Sequence, residues 1–311
     1  MSTAPLHFDL SLFDLFASFS RHAGVHLLDD SAALYPGAVR SLIDAARITV
    51  WYAVPTALAR LAERRALAGA TSPRLIMFAG EVFPTAILRR LMAQLPQPEY
   101  VNLFGPTETN VCTYHRLPGA PASDLDALPI GIPCEHLEVS LNRDDGSAVG
   151  GDETGEICVA GAAVMAGYWG DAEGTGAVRC GGRSDSYRTG DYAYRRPDGA
   201  MMFVGRRDQQ VKIRGHRVDL LALETVLHAH PAIREAAALA VPGARGGSDL
   251  ALYLVAREAA LGDGAVQDAV AARLPPSYRI DRVEWLQELP RLANGKCDRI
   301  ALRNRAAAKG D

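Results

Sequence analysis

The chain has 311 residues, 48% hydrophobic and 22% charged, with a formal charge of -3. That length exceeds one ordinary core and predicts two or three compact units, and the composition describes a globular chain rather than a disordered one. The near-neutral charge, with no long basic block, excludes a dedicated nucleic-acid surface; pairs such as Arg64-Arg65 and Arg89-Arg90 read as solvated helix faces.

The first residues, MSTAPLHFDLSLFDLF, lack a basic leader and carry Asp9 and Asp14 inside an apolar stretch. They read as neither signal peptide nor membrane span, so the expected compartment is the cytoplasm and no membrane partner is expected. From residue 1 to about 130, VHLLDD, TVWYAV, RLIMFAG and YVNLFG read as strands. PGAVRSLIDAAR, PTALARLAERRALAG and PTAILRRLMAQL read as amphipathic helices between them. Alternating strands and helices predict an α/β unit with a mostly parallel sheet, whose ligands sit at the carboxyl ends of the strands.

From 131 to 207 the pattern changes to short strands punctuated by glycine, which predicts a small β-barrel-like unit. Within it, AEGTGAVRCGGRSDS reads as a surface loop. From 208 to 311 a third unit follows, a C-terminal α+β lid domain. Its elements in order are strand VKIRGHRV, helix LALETVLHAH, strands REAAALAV and DLALYLVARE, helix GAVQDAVAARL, strand RVEWLQEL and a basic terminal helix.

Five cysteines, at 112, 134, 158, 180 and 297, form no CxxC pair, and no HExxH occurs. Neither a disulfide framework nor a metal caged by protein ligands is expected. Lysine is rare, only three residues beside thirty arginines. A lysine in the NGKCDR turn, Lys296, is therefore conspicuous, as is Lys212 on the strand VKIRGHRV, where Gly215 allows close approach of a ligand or another backbone.

Three further stretches carry candidate chemistry. In NLFGPTETN, Gly105-Pro106 forces a turn that leaves Thr107 and Glu108 at a strand's carboxyl end, where a hydroxyl and a carboxylate can meet a phosphate and its magnesium. The same residues equally suit a threonine cap opening a helix. In YRTGDYA, Asp191 sits at the edge of a hairpin, able to accept two ribose hydroxyls or to serve as an ordinary turn residue. In HFDLSLFD, Asp9 is either a helix cap or a carboxylate for a substrate ammonium.

Taken in order, FDLS, the AGE turn at 79 to 81, NLFGPTE, GEICVAGAAVMAGYWG, YRTGD, GRRDQQVKIRGHRV and NGKCDR resemble the acyl-adenylate-forming (AMP-binding) ligases. Within that family they are most similar to the amino-acid adenylation domains of nonribosomal peptide synthesis, from residue 3 to about 303. The resemblance implies ATP and Mg2+ as cofactors, an amino-acid substrate, and an acyl or peptidyl carrier protein, or a CoA thiol, as acceptor. It implies that Lys296 reaches the α-phosphate and the substrate carboxylate, with Thr107 on the α-phosphate and Glu108 on magnesium. Asn102 and Phe104 would frame the adenine, with Gly80 on the nucleotide side, and Asp191 would hold the ribose with Arg206 nearby.

By the same resemblance, Asp208 is the hinge about which the C-terminal domain swings. Lys212 and Gly215 then replace Lys296 for the thioester step. The substrate pocket would be Asp9, Leu10, Phe13, Thr56, Met77, Ala79, Leu103, Val111 and Cys112. One carboxylate in an apolar lining implies a neutral amino acid, with proline leading. An acyl-CoA ligase has no ammonium for Asp9 to meet. No loop for the β- and γ-phosphates is found, which implies a chain missing its amino-terminal part, an enzyme completed by an N-terminal partner chain, or a remnant that binds without catalysing.

Overall fold

The computed structural model describes residues 1–4, 6, 8–28, 35–124, 126–206, 210–213, 216–242, 248–259, 261–292 and 295–308. The chain divides into two compact units, residues 1–122 with 126–204, and residues 205–311 with 123–125.

The first unit is built on nine strands. They are β1 (Val50–Ala53), β2 (Leu75–Phe78), β3 (Glu99–Phe104), β4 (Thr113–Arg116), β5 (Pro129–Pro133), β6 (Leu137–Asn142), β7 (Gly155–Gly161), β8 (Ser186–Arg195) and β9 (Met201–Arg206). Their order across one sheet is β1-β2-β3-β4-β5-β9-β8-β7-β6. The α/β part is β1 to β3, paired parallel and connected through the helices Pro55–Glu63 and Thr85–Gln94. A proline opens the helices Pro36–Ala45 and Pro55–Glu63, where its fixed φ suits the first turn and its missing N–H costs nothing.

Register decides what each face does. Trp51, Ile76 and Tyr100 lie side by side and bury into a core with Leu58, Leu88 and Leu91 of the flanking helices. Their neighbours Tyr52, Met77 and Val101 point the other way and pack with Leu10 and Ala79. This is the period-two alternation of a strand, applied so that one face is structural and the other is left for a site. From β3 onward the observed pairings are antiparallel, and Cys112, Ile130, Leu137, Ile157, Val159 and Met201 form a separate core on that side.

The second unit has a hairpin, β10 (Gln210–Ile213) with β11 (His216–Asp219), and a three-stranded sheet, β12 (Ile233–Pro242), β13 (Ser248–Ala256) and β14 (Arg282–Trp285). Alternate residues of β12 and β13 feed two cores. Ala236, Ala238, Leu250 and Leu252 meet the helices Leu220–Ala229 and Asp263–Ala271, while Ala237, Leu239, Ala251 and Tyr253 meet Leu302 and Ala306 of the helix Arg299–Ala308. Asp219 caps the helix after it, accepting from the N–H groups of Leu221 and Ala222 at 2.8 and 3.2 Å.

Several local expectations change. VKIRGHRV is two strands of a hairpin, not one strand, because Gln210–Ile213 pairs back on His216–Asp219. VHLLDD contributes a single bridge from Leu27 to Ser2, and its last two residues lie outside those described. The surface loop expected after residue 171 contains a helix, Ala172–Ala177, opened by the Asp171 carboxylate accepting from Gly174 N–H at 2.7 Å. The helix from Pro55 stops at Glu63, and Arg65 takes a left-handed φ of 52°. No described helix is long and apolar enough to cross a membrane.

Candidate active site

The NLFGPTE stretch closes as a tight loop between β3 and β4. Cys112 N–H returns to Phe104 C=O at 2.8 Å, and Asn110 adopts φ 53°. A Cβ on Gly105 would lie 1.8 Å from the Asn110 carbonyl oxygen, so only glycine allows this closure. Thr109 and Asn110 N–H groups bond to Pro106 and Thr107 carbonyls, and no helix follows before β4. The alternative in which the threonine opens a helix is thereby removed. Thr107 is exposed and Glu108 half-buried.

Asn102, on β3, is 9% exposed and donates its amide to Pro129 C=O at 2.8 Å. Phe104 lies two residues on, its ring 5.7 Å from that of Phe203. Asp191 is not at a hairpin edge: it lies inside the ten-residue strand β8, 4% exposed, directly after Gly190 at φ 72°. A register shift between Glu156 and Cys158 of β7 falls opposite this point. Glu156 fixes the bulge, accepting from Gly190 N–H at 3.1 Å and from the Arg188 guanidinium at 2.5 Å. Burial pushes the Cys112 thiol pKa up to about 12, with a smaller contribution from the Asp191 charge.

The expected pocket is partly assembled. Leu10, Met77 and Ala79 share one buried cluster, with Leu103 packed against it. Phe13 meets Tyr52 edge to face at 5.8 Å. Asp9 stands at the start of the segment Leu10–Leu12, continued by a π-type turn Phe13–Ala17 and by Ser18–Ser20, but its carboxylate makes no cap bond. The Ser11 hydroxyl donates instead to Phe8 C=O at 2.8 Å. Burial first, then the charges of Asp9 and Asp14, hold the Tyr52 phenol protonated well above its usual range. Thr56 donates to the Glu81 carboxylate at 2.6 Å. Cys112 packs in the other core, with Ile130 and Ile157, and Val111 borders it through its C=O, which accepts from the Cys134 thiol.

Gly80, at φ 91°, forms the turn after β2, and Arg206 ends β9 on the surface. In the second unit the Lys296 C=O accepts from Leu292 N–H at 2.9 Å, and Gly295 N–H donates to Leu292 C=O at 2.9 Å, which closes the chain into a turn at the lysine. Arg291 grips that turn, bonding Gly295 C=O at 3.2 Å and the Glu235 carboxylate. Arg299, three residues after the lysine, is held by both oxygens of buried Glu224 at 2.7 and 2.9 Å. Lys212 pairs with Arg217 across the hairpin; Asp208 and Gly215 lie outside the described residues.

Sequence reasoning missed Tyr52, Glu81, Glu156, Tyr168 and Tyr187. Tyr168 donates to Glu108 Oε1 at 2.8 Å, and its oxygen lies 3.3 Å from that of Tyr187. The one signal for Tyr52 was its place in β1 on the face opposite Trp51. Among the described residues no group of three or more His, Cys, Asp or Glu could hold a metal ion. A lone carboxylate such as that of Glu108 is the kind of ligand a hard cation takes when its other ligands are phosphate oxygens and water.

Comparison with known proteins matches residues 1–169 to the AMP-binding enzyme family and residues 222–296 to the AMP-binding enzyme C-terminal domain. An L-proline--(L-prolyl-carrier protein) ligase from Pseudomonas fluorescens is 36% identical over 96% of this chain and 59% of its own length. A ligase of the same description from Streptomyces coelicolor is 39% identical over 95% of this chain and 56% of its own length. The chain thus spans somewhat over half of these relatives. The structure of holo-AB3403, a four-domain nonribosomal peptide synthetase bound to AMP and glycine, is similar with a TM-score of 0.84 and 25% identity, covering 96% of this chain and 22% of that one. Sequence match, relatives and fold agree, and the chain belongs to the AMP-binding enzyme family.

Proposed function

We propose that the chain takes part in ATP-dependent adenylation of a neutral α-amino acid, proline foremost, and in its transfer to a phosphopantetheine thiol of a carrier protein. The observation that carries this is the carboxylate of Asp9 at the start of the segment Leu10–Leu12, whose Leu10 packs into an apolar cluster with Met77, Ala79 and Leu103. A substrate ammonium would give such a carboxylate a charge-assisted partner. The named relatives act on L-proline and a prolyl-carrier protein. An acyl-CoA ligase acting on simple acids has no use for Asp9.

In this reading a substrate carboxylate oxygen attacks the α-phosphorus of ATP, the bond to pyrophosphate breaks, and an aminoacyl-adenylate forms. The thiol then attacks the acyl carbon and AMP leaves. Asn102 and Phe104 hold the adenine beside the Gly80 turn, and Asp191, with Arg206, holds the ribose. Thr107 and Lys296 meet the charge that builds on the α-phosphate, so the chain contributes positioning and electrostatics rather than covalent chemistry. Magnesium, held by Glu108, would neutralise phosphate charge when bound. The division into 1–130, 131–207 and a mobile 208–311 turning about Asp208 belongs to this proposal, with Lys212 and Gly215 serving the second step.

Leu12, Phe13, Phe16 and Phe19 expose 38% to 69% of their surface along one short helical segment. We assign that face to the additional polypeptide that the relatives carry, in the same chain or in a partner. Amino-acid-dependent ATP–pyrophosphate exchange, with and without that polypeptide, tests the whole reading. Proline or another small neutral amino acid is expected to lead, and Asp9→Ala to raise the amino-acid KM by at least about 30-fold. Preference for a charged side chain, or no exchange in either form, contradicts it.

A further inference from the structure

The segment between β7 and β8 is strapped to the GPTE turn at two levels. Met165 N–H donates to the Glu108 carbonyl at 2.8 Å, and the Tyr168 phenol donates to the Glu108 carboxylate at 2.8 Å. Tyr187, on β8, has its phenol oxygen 3.3 Å from that of Tyr168 and so backs it against Glu108. Sixty residues of chain separate Glu108 from Tyr168, so this contact is made by the fold and not by local sequence.

What holds Tyr168 in place is itself hydrogen-bonded. Its N–H donates to the Thr175 hydroxyl at 2.8 Å, and that hydroxyl donates to Asp171 C=O at 2.6 Å, in the first turn of the helix Ala172–Ala177. A Cβ at Gly167 would meet the Thr175 side chain at 2.9 Å, so the glycine keeps the two strands of this strap together. At the far end Arg179 bonds the carbonyls of Ala166 and Ser186 at 2.7 and 2.8 Å, fastening the segment to β8. Tyr187 is 6% exposed, so the inner of the two phenols is packed within the unit.

We propose that Tyr168 and Tyr187 are positioning residues for Glu108, holding its carboxylate in the orientation in which it meets a divalent cation on the nucleotide phosphates. The proposal rests on the reading of Glu108 as the cation ligand. A carboxylate oriented by hydrogen-bonded neighbours binds a metal better than a freely rotating one, and loss of such a neighbour commonly costs 10- to 100-fold in metal affinity. The short capped helix after residue 171 then has a purpose: it sets the phenol against the carboxylate.

The test is Mn2+ binding in the presence of ATP, followed by electron paramagnetic resonance, with thermal midpoints measured alongside. Tyr168→Phe is expected to raise the Mn2+ Kd about 10-fold, and Tyr187→Phe by a smaller factor, with the midpoint of the exposed Tyr168 variant unchanged. Tyr168→Leu, which also removes the ring, is expected to match Tyr168→Phe; a weakening in the Leu variant alone would mean packing, and would overturn the proposal. If Glu108→Gln weakens Mn2+ while both Phe variants bind like the parent, the positioning role fails and the reading of Glu108 stands. If Glu108→Gln binds like the parent, or the parent takes up no Mn2+, that reading fails and the proposal with it.

Discussion

The two ends of the first unit differ in how completely they satisfy themselves. Around the GPTE and TGD turns every fixed geometry has a visible support: Glu156 holds the bulge before Asp191, Tyr168 holds Glu108, and Arg179 fastens the strap. Along residues 10–20 the opposite holds. Phe16 and Phe19 are 69% and 62% exposed, while Asp14 is buried with Oδ2 lacking a hydrogen-bond partner. Apolar surface left outside and a carboxylate left inside are both costs that packing usually removes. In the proposed reading, the nucleotide side is supported from within this chain, and the exposed amino-terminal helical segment is the face assigned to the additional polypeptide.

Breaking the self-sufficient end should have the larger effect. Gly105→Ala forces a Cβ to 1.8 Å from a carbonyl oxygen that cannot move without opening the turn. We expect a stability loss on the order of 3 kcal/mol in chemical denaturation, together with weaker AMP binding. A variant with unchanged stability would show that the turn is not as tightly determined as the contacts around Asn110 indicate.

The other end gives a smaller effect of opposite sign. Burial raises the Asp14 pKa from 3.8 to about 6. Because the folded value lies above the unfolded one, the protonated acid favours folding below pH 3.8, and that stability is lost as pH rises through 6. Asp14→Asn should therefore raise the thermal midpoint at pH 7.5 and leave it nearly unchanged at pH 3.5. Equal shifts at both pH values would mean that desolvated charge is not the cost at this site. Repeating the comparison with the covering polypeptide bound would sharpen it, since Phe16 and Phe19 should then become protected.

Much of this was legible in the sequence because it is local. The strands VWYA, LIMF and EYVNLF show themselves by short apolar runs, and the prolines before residues 37, 56 and 85 announce helices. The motifs picked out Asn102, Glu108 and Asp191, but in two units of the sequence reading; the structure puts all three in one. What stayed hidden depends on contacts between distant residues. Helix Ala172–Ala177 contains two glycines and is only six residues long, so its propensity is poor, and the Asp171 cap with the Thr175 bond sustains it. The hairpin at 210–219 looks like one long strand until its halves pair. Glu156 and Tyr168 read as ordinary strand and loop residues, and only the fold brings them to Gly190 and Glu108.

The central claim is that Lys296, on a turn gripped by Arg291 and anchored through Arg299, serves the adenylation step. The direct test compares two half-reactions in Lys296→Ala, with the covering polypeptide supplied: amino-acid-dependent pyrophosphate exchange, and thioester formation on a carrier protein from preformed aminoacyl-adenylate. The account predicts that exchange falls by at least about 100-fold, as expected when a charge-stabilising group is removed, while thioester formation stays close to that of the parent. Equal loss in both half-reactions, or exchange that persists without the ammonium, would contradict it.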